Sequence, residues 1–213
     1  MQELKNLNDN KIIALTFDDG PSIDTTPQIL DKLEKYGVKA TFFLCGKNIN
    51  EESKMIMVRQ LELGCELQNH SWSHIDMSLI NEKEISKEVL DTSRIIYKTV
   101  GVKPTFFRPP YILTSQTMFD LIELPFINGV ACSDWEEDVS SEVRISTLLQ
   151  NVTDGDIILL HDFSGNINTV NAMDGIITGL WERGFQFVTL SELFRLKGVD
   201  ANVKHKLWSN VLD

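Results

Sequence analysis

The sequence predicts an α/β fold: a distorted (β/α) barrel of seven to eight mostly parallel strands, in a single domain over 1–213. Three observations lead there. Short apolar runs alternate with longer segments of helical spacing, the pattern of a mostly parallel sheet. Polar and titratable residues gather at the C-terminal ends of most of these runs. A barrel collects such ends on one face, whereas an open sheet feeds its ligands to one switch point from fewer strands. Finally, 213 residues with 42% hydrophobic and 24% charged content suit one well-buried core and are short for two.

In chain order, strands are expected at 12–17 (IIALTF), 39–44 (KATFFL), 65–69 (CELQN), 105–108 (TFFR), 127–132 (INGVAC), 157–160 (IILL) and 186–189 (QFVT). Asn50 opens a helical segment that stops at Gly64. Asn81 with Glu84 three residues on is a capping-box start, and Ile85, Val89, Thr92, Ile96 and Val100 line one face before Gly101. Gly37, Gly184 and Gly198 close further helices, and Ser191 reads as the N-cap of the last. Residues 199–213 form a tail that either docks or begins a linker.

Composition removes some partners. A formal charge of -11 argues against a nucleic-acid backbone or an anionic membrane surface, because like charges repel. No apolar run approaches the roughly 20 residues of a membrane span. The start "MQELKNLNDNK" lacks the basic, apolar and cleavage regions of a signal segment, so the chain reads as soluble. Cys45, Cys65 and Cys132 are odd in number and without CxxC spacing, and read as small core hydrophobes.

The chemistry gathers at the strand ends. Asp18 and Asp19 follow the first strand, His70 and His74 the third, Arg108 the fourth, Asp134 and Trp135 the fifth, and His161 the sixth. Two adjacent carboxylates are tolerable if each has its own cation, a metal for one and an arginine for the other. "HSWSH" sets two imidazoles four residues apart, on one face if the segment is helical. With one carboxylate they make a two-His, one-Asp set that leaves positions open, as a catalytic zinc site requires. Only four histidines are present, and the fourth, His205, has no role assigned.

These residues resemble the polysaccharide deacetylases of carbohydrate esterase family 4. The family's motifs TFDDGP, HxxxH, RxPY, DxxDW and LxH read here as Thr16 to Pro21, His70 to His74, Arg108-Pro109-Pro110-Tyr111, Asp134-Trp135 and Leu159-Leu160-His161, in order within about 11–198. The first Asp of the fourth motif is replaced by Ala131. The resemblance implies a distorted barrel, and it implies Asp19, His70 and His74 as ligands of one divalent metal ion, zinc first, with cobalt or nickel as alternatives. It further implies Asp18 as general base, charge-paired with Arg108, and His161 as general acid oriented by Asp134. The backbone N–H of Tyr111 would hold the oxyanion, Trp135 and Leu159 would wall a slot for the acetyl methyl, and Pro110 would line the substrate side.

The expected activity is therefore removal of acetyl groups from a polysaccharide or oligosaccharide, acetylated xylan first. The alternatives are N-deacetylation of chitin oligomers or peptidoglycan, hydrolysis of a small non-carbohydrate amide, or a carbohydrate-binding barrel without catalysis. The acidic chain suits polyanionic cell-wall material poorly, Ala131 resembles some of the family's acetylxylan esterases, and an alkoxide leaving group demands less of His161 than an amine. A monomer is expected, and the resemblance implies an extracellular or cell-surface location.

Overall fold

The computed structural model describes residues 11–213; the N-terminal stretch read above for a signal segment lies, up to residue 10, outside them. Its hub is β1 (Lys11–Asp18), buried from its second residue to its last. One edge of β1 pairs with β6 (Ile157–His161). The other edge is shared: β7 (Phe185–Val188) takes Lys11 to Ala14, and β2 (Thr41–Leu44) takes Thr16 to Asp18. β3 (Glu66–Asn69) extends beyond β2, and β5 (Val130–Ala131) beyond β6. Every one of these pairings is parallel.

The opposite wall is thin. Phe107 makes single bridges to Asn69 and to Phe126, and β4 (Phe126–Ile127) pairs with β8 (Leu207–Trp208). The ring closes where Ile157 N donates to Ser209 O at 3.0 Å. Eight strands thus form a distorted barrel among the described residues.

Pleating decides what each face of β1 does. Ile13, Leu15 and Phe17 pack outward, in one core with Ile29 and Leu33 of α1 (Thr25–Tyr36) and Ile176, Ile177 and Leu180 of α6 (Ile167–Glu182). Ile12 and Ala14 belong to a second core that includes Leu193 and Phe194 of α7 (Leu190–Lys197) and Trp208. Along that same face the next two residues are Thr16 and Asp18, so the strand changes there from apolar plug to polar site.

Three expectations need correction. The strand at 105–108 is reduced to the Phe107 bridges. The run 127–132 breaks into β4 and β5, since Gly129 lies so close to β6 that a Cβ would sit 2.7 Å from the Ile157 carbonyl. The last helix is capped by Thr189, not Ser191: Thr189 and Glu192 form the capping box. Of the two courses open to residues 199–213, docking is the one taken, with Trp208 and Val211 buried.

The remaining helices are α2 (Glu51–Glu62), α3 (Glu82–Val100), α4 (Gln116–Leu121) and α5 (Ser141–Asn151). Asn81 and Glu84 form the expected capping box of α3, and Gly37, Gly101 and Gly198 end helices in left-handed conformation.

Candidate active site

At the end of β1 the two carboxylates diverge. Asp18, 2% exposed, turns inward, where Arg108 Nη1 donates to its Oδ1 at 2.6 Å and to Thr16 Oγ1 at 2.7 Å. Arg108 is itself fully buried: Nη2 donates to the Asn128 carbonyl at 2.7 Å, and the guanidinium lies 4.2 Å over the Phe43 ring. Asp19 has φ 75°, a left-handed turn that a residue other than glycine adopts only when its surroundings compel it. Its Oδ1 lies 3.1 Å from His74 Nε2 and 3.4 Å from His70 Nε2. Gly20 must follow, because a Cβ there would meet the Asp162 carboxylate at 2.5 Å.

His70 and His74 converge through a loop, not through one face of a helix. Ser71 (φ 64°) and His74 (φ 58°) both turn left-handed, bringing the ring centroids to 5.0 Å. Glu88 of α3 fixes this loop, accepting from the backbone N–H of Trp72 and of Ser73 and from Ser73 Oγ, each at 2.8 Å. His70 Nδ1 lies 2.7 Å from the Arg108 carbonyl. A carbonyl only accepts, so Nδ1 carries a hydrogen, and in the neutral ring the lone pair is on Nε2, the atom facing Asp19.

One donor atom from each of Asp19, His70 and His74 lies within 4.8 Å of the others. Two neutral imidazoles and a carboxylate suit a divalent cation with positions left open. Burial opposes charge on Asp19, but the hydrogen bond and charge of His70 in its protonated form, with the charges of His74 and His161, hold its carboxyl well below the usual range. Burial and the neighbouring His70 push the His74 imidazole down, toward the neutral form a metal ligand needs.

His161 ends β6, one strand over in register with Asp18. Its Nδ1 donates to Asp134 Oδ1 at 2.8 Å and its backbone N–H to Asp134 Oδ2 at 2.7 Å. Burial works against the imidazolium. The hydrogen bond and charge of Asp134, with Asp18 and Asp19, outweigh it and raise the His161 value to about 9. The ring therefore carries its proton at neutral pH.

A cavity of about 610 Å³ joins these groups, bounded by Asp18, Asp19, His70, His74 and His161, and walled by Tyr111, Ala131, Trp135 and Leu159. Ala131 faces Leu159 in register across β5 and β6. Tyr111, again left-handed at φ 57°, sets its ring edge-on to His74 at 4.7 Å, and Trp135 stands edge-on to His161 at 5.6 Å. Pro110 is buried beside Tyr111 in a 3₁₀ turn and does not border the cavity.

Sequence reasoning missed several residues that hold this arrangement. Asp162, fully buried, accepts from Thr26 and meets the Gly20 turn. Burial, then the charges of Asp19 and Asp18, push its carboxyl up to about 7. Glu88 sits three residues after buried Ile85 on α3, and Arg144 four residues before buried Leu148 on α5. A charge at an apolar-face position was the available signal for both.

Comparison with known proteins places the chain. The polysaccharide deacetylase family profile matches residues 5–124. A bifunctional xylanase/deacetylase of Pseudobutyrivibrio xylanivorans is 52% identical over 206 residues, 97% of this chain and 34% of that protein. A peptidoglycan-N-acetylglucosamine deacetylase of Listeria monocytogenes is 35% identical over 193 residues, 90% of this chain and 41% of that protein. The chain thus spans well under half the length of either relative. Among solved structures, a family 4 acetyl xylan esterase from Clostridium thermocellum, in complex with a cobalt ion, superposes with a TM-score of 0.92 at 43% identity, covering 94% of this chain and 99% of that one. The chain belongs to the polysaccharide deacetylase family.

Proposed function

We propose that this chain is a metal-dependent esterase that removes O-acetyl groups from xylan or its oligomers. The observation that carries the reading is one cavity holding a three-donor metal cluster, a carboxylate paired with a buried arginine, and a protonated histidine paired with a buried aspartate. A binding module needs neither of those last two pairs. Identity also falls from 52% and 43% for relatives named for xylan to 35% for the peptidoglycan deacetylase.

Asp19, His70 and His74 would hold the ion, zinc by the chemistry of the donors, with cobalt or nickel able to occupy the same set. When bound, it supplies Lewis-acid polarisation and an acidified water near neutral pH. Arg108 occupies Asp18 Oδ1, so Asp18 accepts the proton of the attacking water at Oδ2. The tetrahedral oxyanion is met by the Tyr111 N–H. His161, held by Asp134 at Nδ1, gives the Nε2 proton to the departing sugar oxygen. Trp135, Leu159 and Ala131 leave an apolar slot for the acetyl methyl, where each extra methylene is worth about 1–3 kcal/mol of discrimination. Ala131 keeps that wall free of a carboxylate. We further assign the chain to a single catalytic domain, monomeric and extracellular or at the cell surface, where a polymer too large to cross a membrane is met.

The test is kcat/KM for acetate release from acetylated xylan oligomers against chitin oligomers of matched length. A higher value on xylan is expected. A higher value on the N-acetyl substrate overturns the O-acetyl assignment, and metal-loaded protein inactive on both supports the non-catalytic barrel.

A further inference from the structure

Behind the His161–Asp134 pair lies a second buried arginine that none of the motifs includes. Arg144, on α5, is 1% exposed, and among the described residues every hydrogen-bond partner of its guanidinium is a neutral oxygen. A buried charge without an ionic partner is expensive unless its hydrogens are all used. Here neutral oxygens take four of the five: Nε donates to the Val139 carbonyl at 2.9 Å, Nη2 to the Glu136 carbonyl at 3.0 Å, and Nη1 to Asn166 Oδ1 at 2.6 Å and Thr169 Oγ1 at 2.7 Å.

Two of those acceptors pass the interaction on. A guanidinium can only donate and a carboxylate only accept, so the directions are fixed. Thr169 Oγ1 receives from Arg144 and donates to Asp134 Oδ2 at 2.9 Å. Asn166 turns its Oδ1 to Arg144, which aims its Nδ2 at the His161 carbonyl, 3.0 Å away, and at Asp134 Oδ2, 3.4 Å away. The other two acceptors, Glu136 and Val139, flank the segment that follows Trp135.

We infer that Arg144 is a positioning residue acting in two directions: through Thr169 and Asn166 on the Asp134 carboxylate that orients His161, and through two backbone carbonyls on the loop carrying Trp135. It sets the proton donor and the acetyl slot from one fixed point. Thr169 and Asn166 also draw charge from Asp134, which keeps His161 ready to release its proton. The charged groups facing His161 are Asp134 at Nδ1, with Asp18 and Asp19 from the end of β1. The inference rests on the proposed role of His161 as acid.

Three variants separate the arms. Thr169→Val removes only the donor to Asp134. It is expected to raise the His161 titration midpoint, read by NMR of the ring in metal-free protein, by about half a pH unit, and to lower kcat several-fold with KM unchanged. Arg144→Met removes both arms and is expected to lower kcat about tenfold or more and raise KM as well, with Arg144→Lys between it and the parent. Guanidinium should partly restore an Arg144→Ala variant, because a cavity of about 440 Å³ on the far side of Trp135 reaches this position.

An unmoved His161 midpoint in Thr169→Val removes the Asp134 arm whether or not the chain hydrolyses acetyl esters, so this failure is distinct from failure of the proposed function. Arg144→Met with kcat and KM intact and only a lower melting temperature overturns the inference. If Arg144→Met fails to fold, Thr169→Val and Arg144→Lys decide: a normal pH profile and normal KM in both overturn it.

Discussion

The two halves of the cavity are held by different means. On the metal side, Asp19, Ser71, His74 and Tyr111 all have positive φ, a backbone conformation worth roughly 1–3 kcal/mol of strain at each non-glycine position. On the acid side a single left-handed residue, Ser133, precedes Asp134, and His161 and Asp134 sit in a side-chain network in which Thr169 and Asn166 donate to the carboxylate and accept in turn from Arg144. Bent backbone can bring donors from two loops to one point, which an ion requires. A proton donor instead needs one ring held in one orientation, and side-chain hydrogen bonds suffice for that. Strain of the first kind persists only while its surroundings impose it, so the metal side should depend more on distant anchors.

The largest effect should come from the ligands. His70→Ala or His74→Ala is expected to lower metal affinity more than about 100-fold, beyond the loss typical of outer partners, as read by metal content after dialysis. Retained stoichiometric metal in either variant would break the assignment of that side.

Next, His161→Ala should lose about 10²–10⁴ in kcat while keeping its metal. The alkaline limb of its pH profile, expected near pH 9 in the parent chain, should disappear. A limb that survives belongs to some other group.

A smaller change tests the anchor. Glu88→Gln keeps the volume but loses the negative charge that holds the backbone N–H of Trp72 and Ser73. Metal affinity should drop about tenfold with the His161 titration untouched. Equal disturbance of both halves would deny their separate construction.

The smallest effect is on stability. The folded value of His161, about 9, lies above its ordinary 6.5, so the folded chain favours the protonated ring. The stabilisation from its pairing with Asp134 is therefore full below about pH 6.5 and is lost as pH rises through 9. In metal-free protein, the melting difference between the parent and His161→Ala should shrink from pH 6 to pH 10. A difference that grows over that range contradicts the charge pairing.

The thick wall of the barrel was legible in the sequence, and the thin wall was not. β1, β2 and β6 are laddered on both sides and announced by their apolar runs, and β3 and β7 each join them through a full ladder on one side. Phe107 makes only isolated bridges, and Leu207 and Trp208 form a two-residue strand after a polar stretch, too short to set up a period. At the site, side chains at strand ends could be read because β1 and β6 carry Asp18 and His161 in register. The HxxxH spacing suggested a helix, but left-handed turns at Ser71 and His74 do that work, and turns of that kind outside glycine leave no composition signal. Arg144 and Thr169 escaped notice because their importance lies in partners 22 to 35 residues away.

In the proposed function Asp18 acts as a base separately from the metal cluster beside it. Asp18→Asn keeps the volume, and the ligands Asp19, His70 and His74 are left in place. Metal content and single-turnover acetate release, measured together on this variant, test the claim directly. A full equivalent of metal with turnover reduced about 10²–10⁴-fold is the predicted result. Near-normal turnover with metal bound would contradict it.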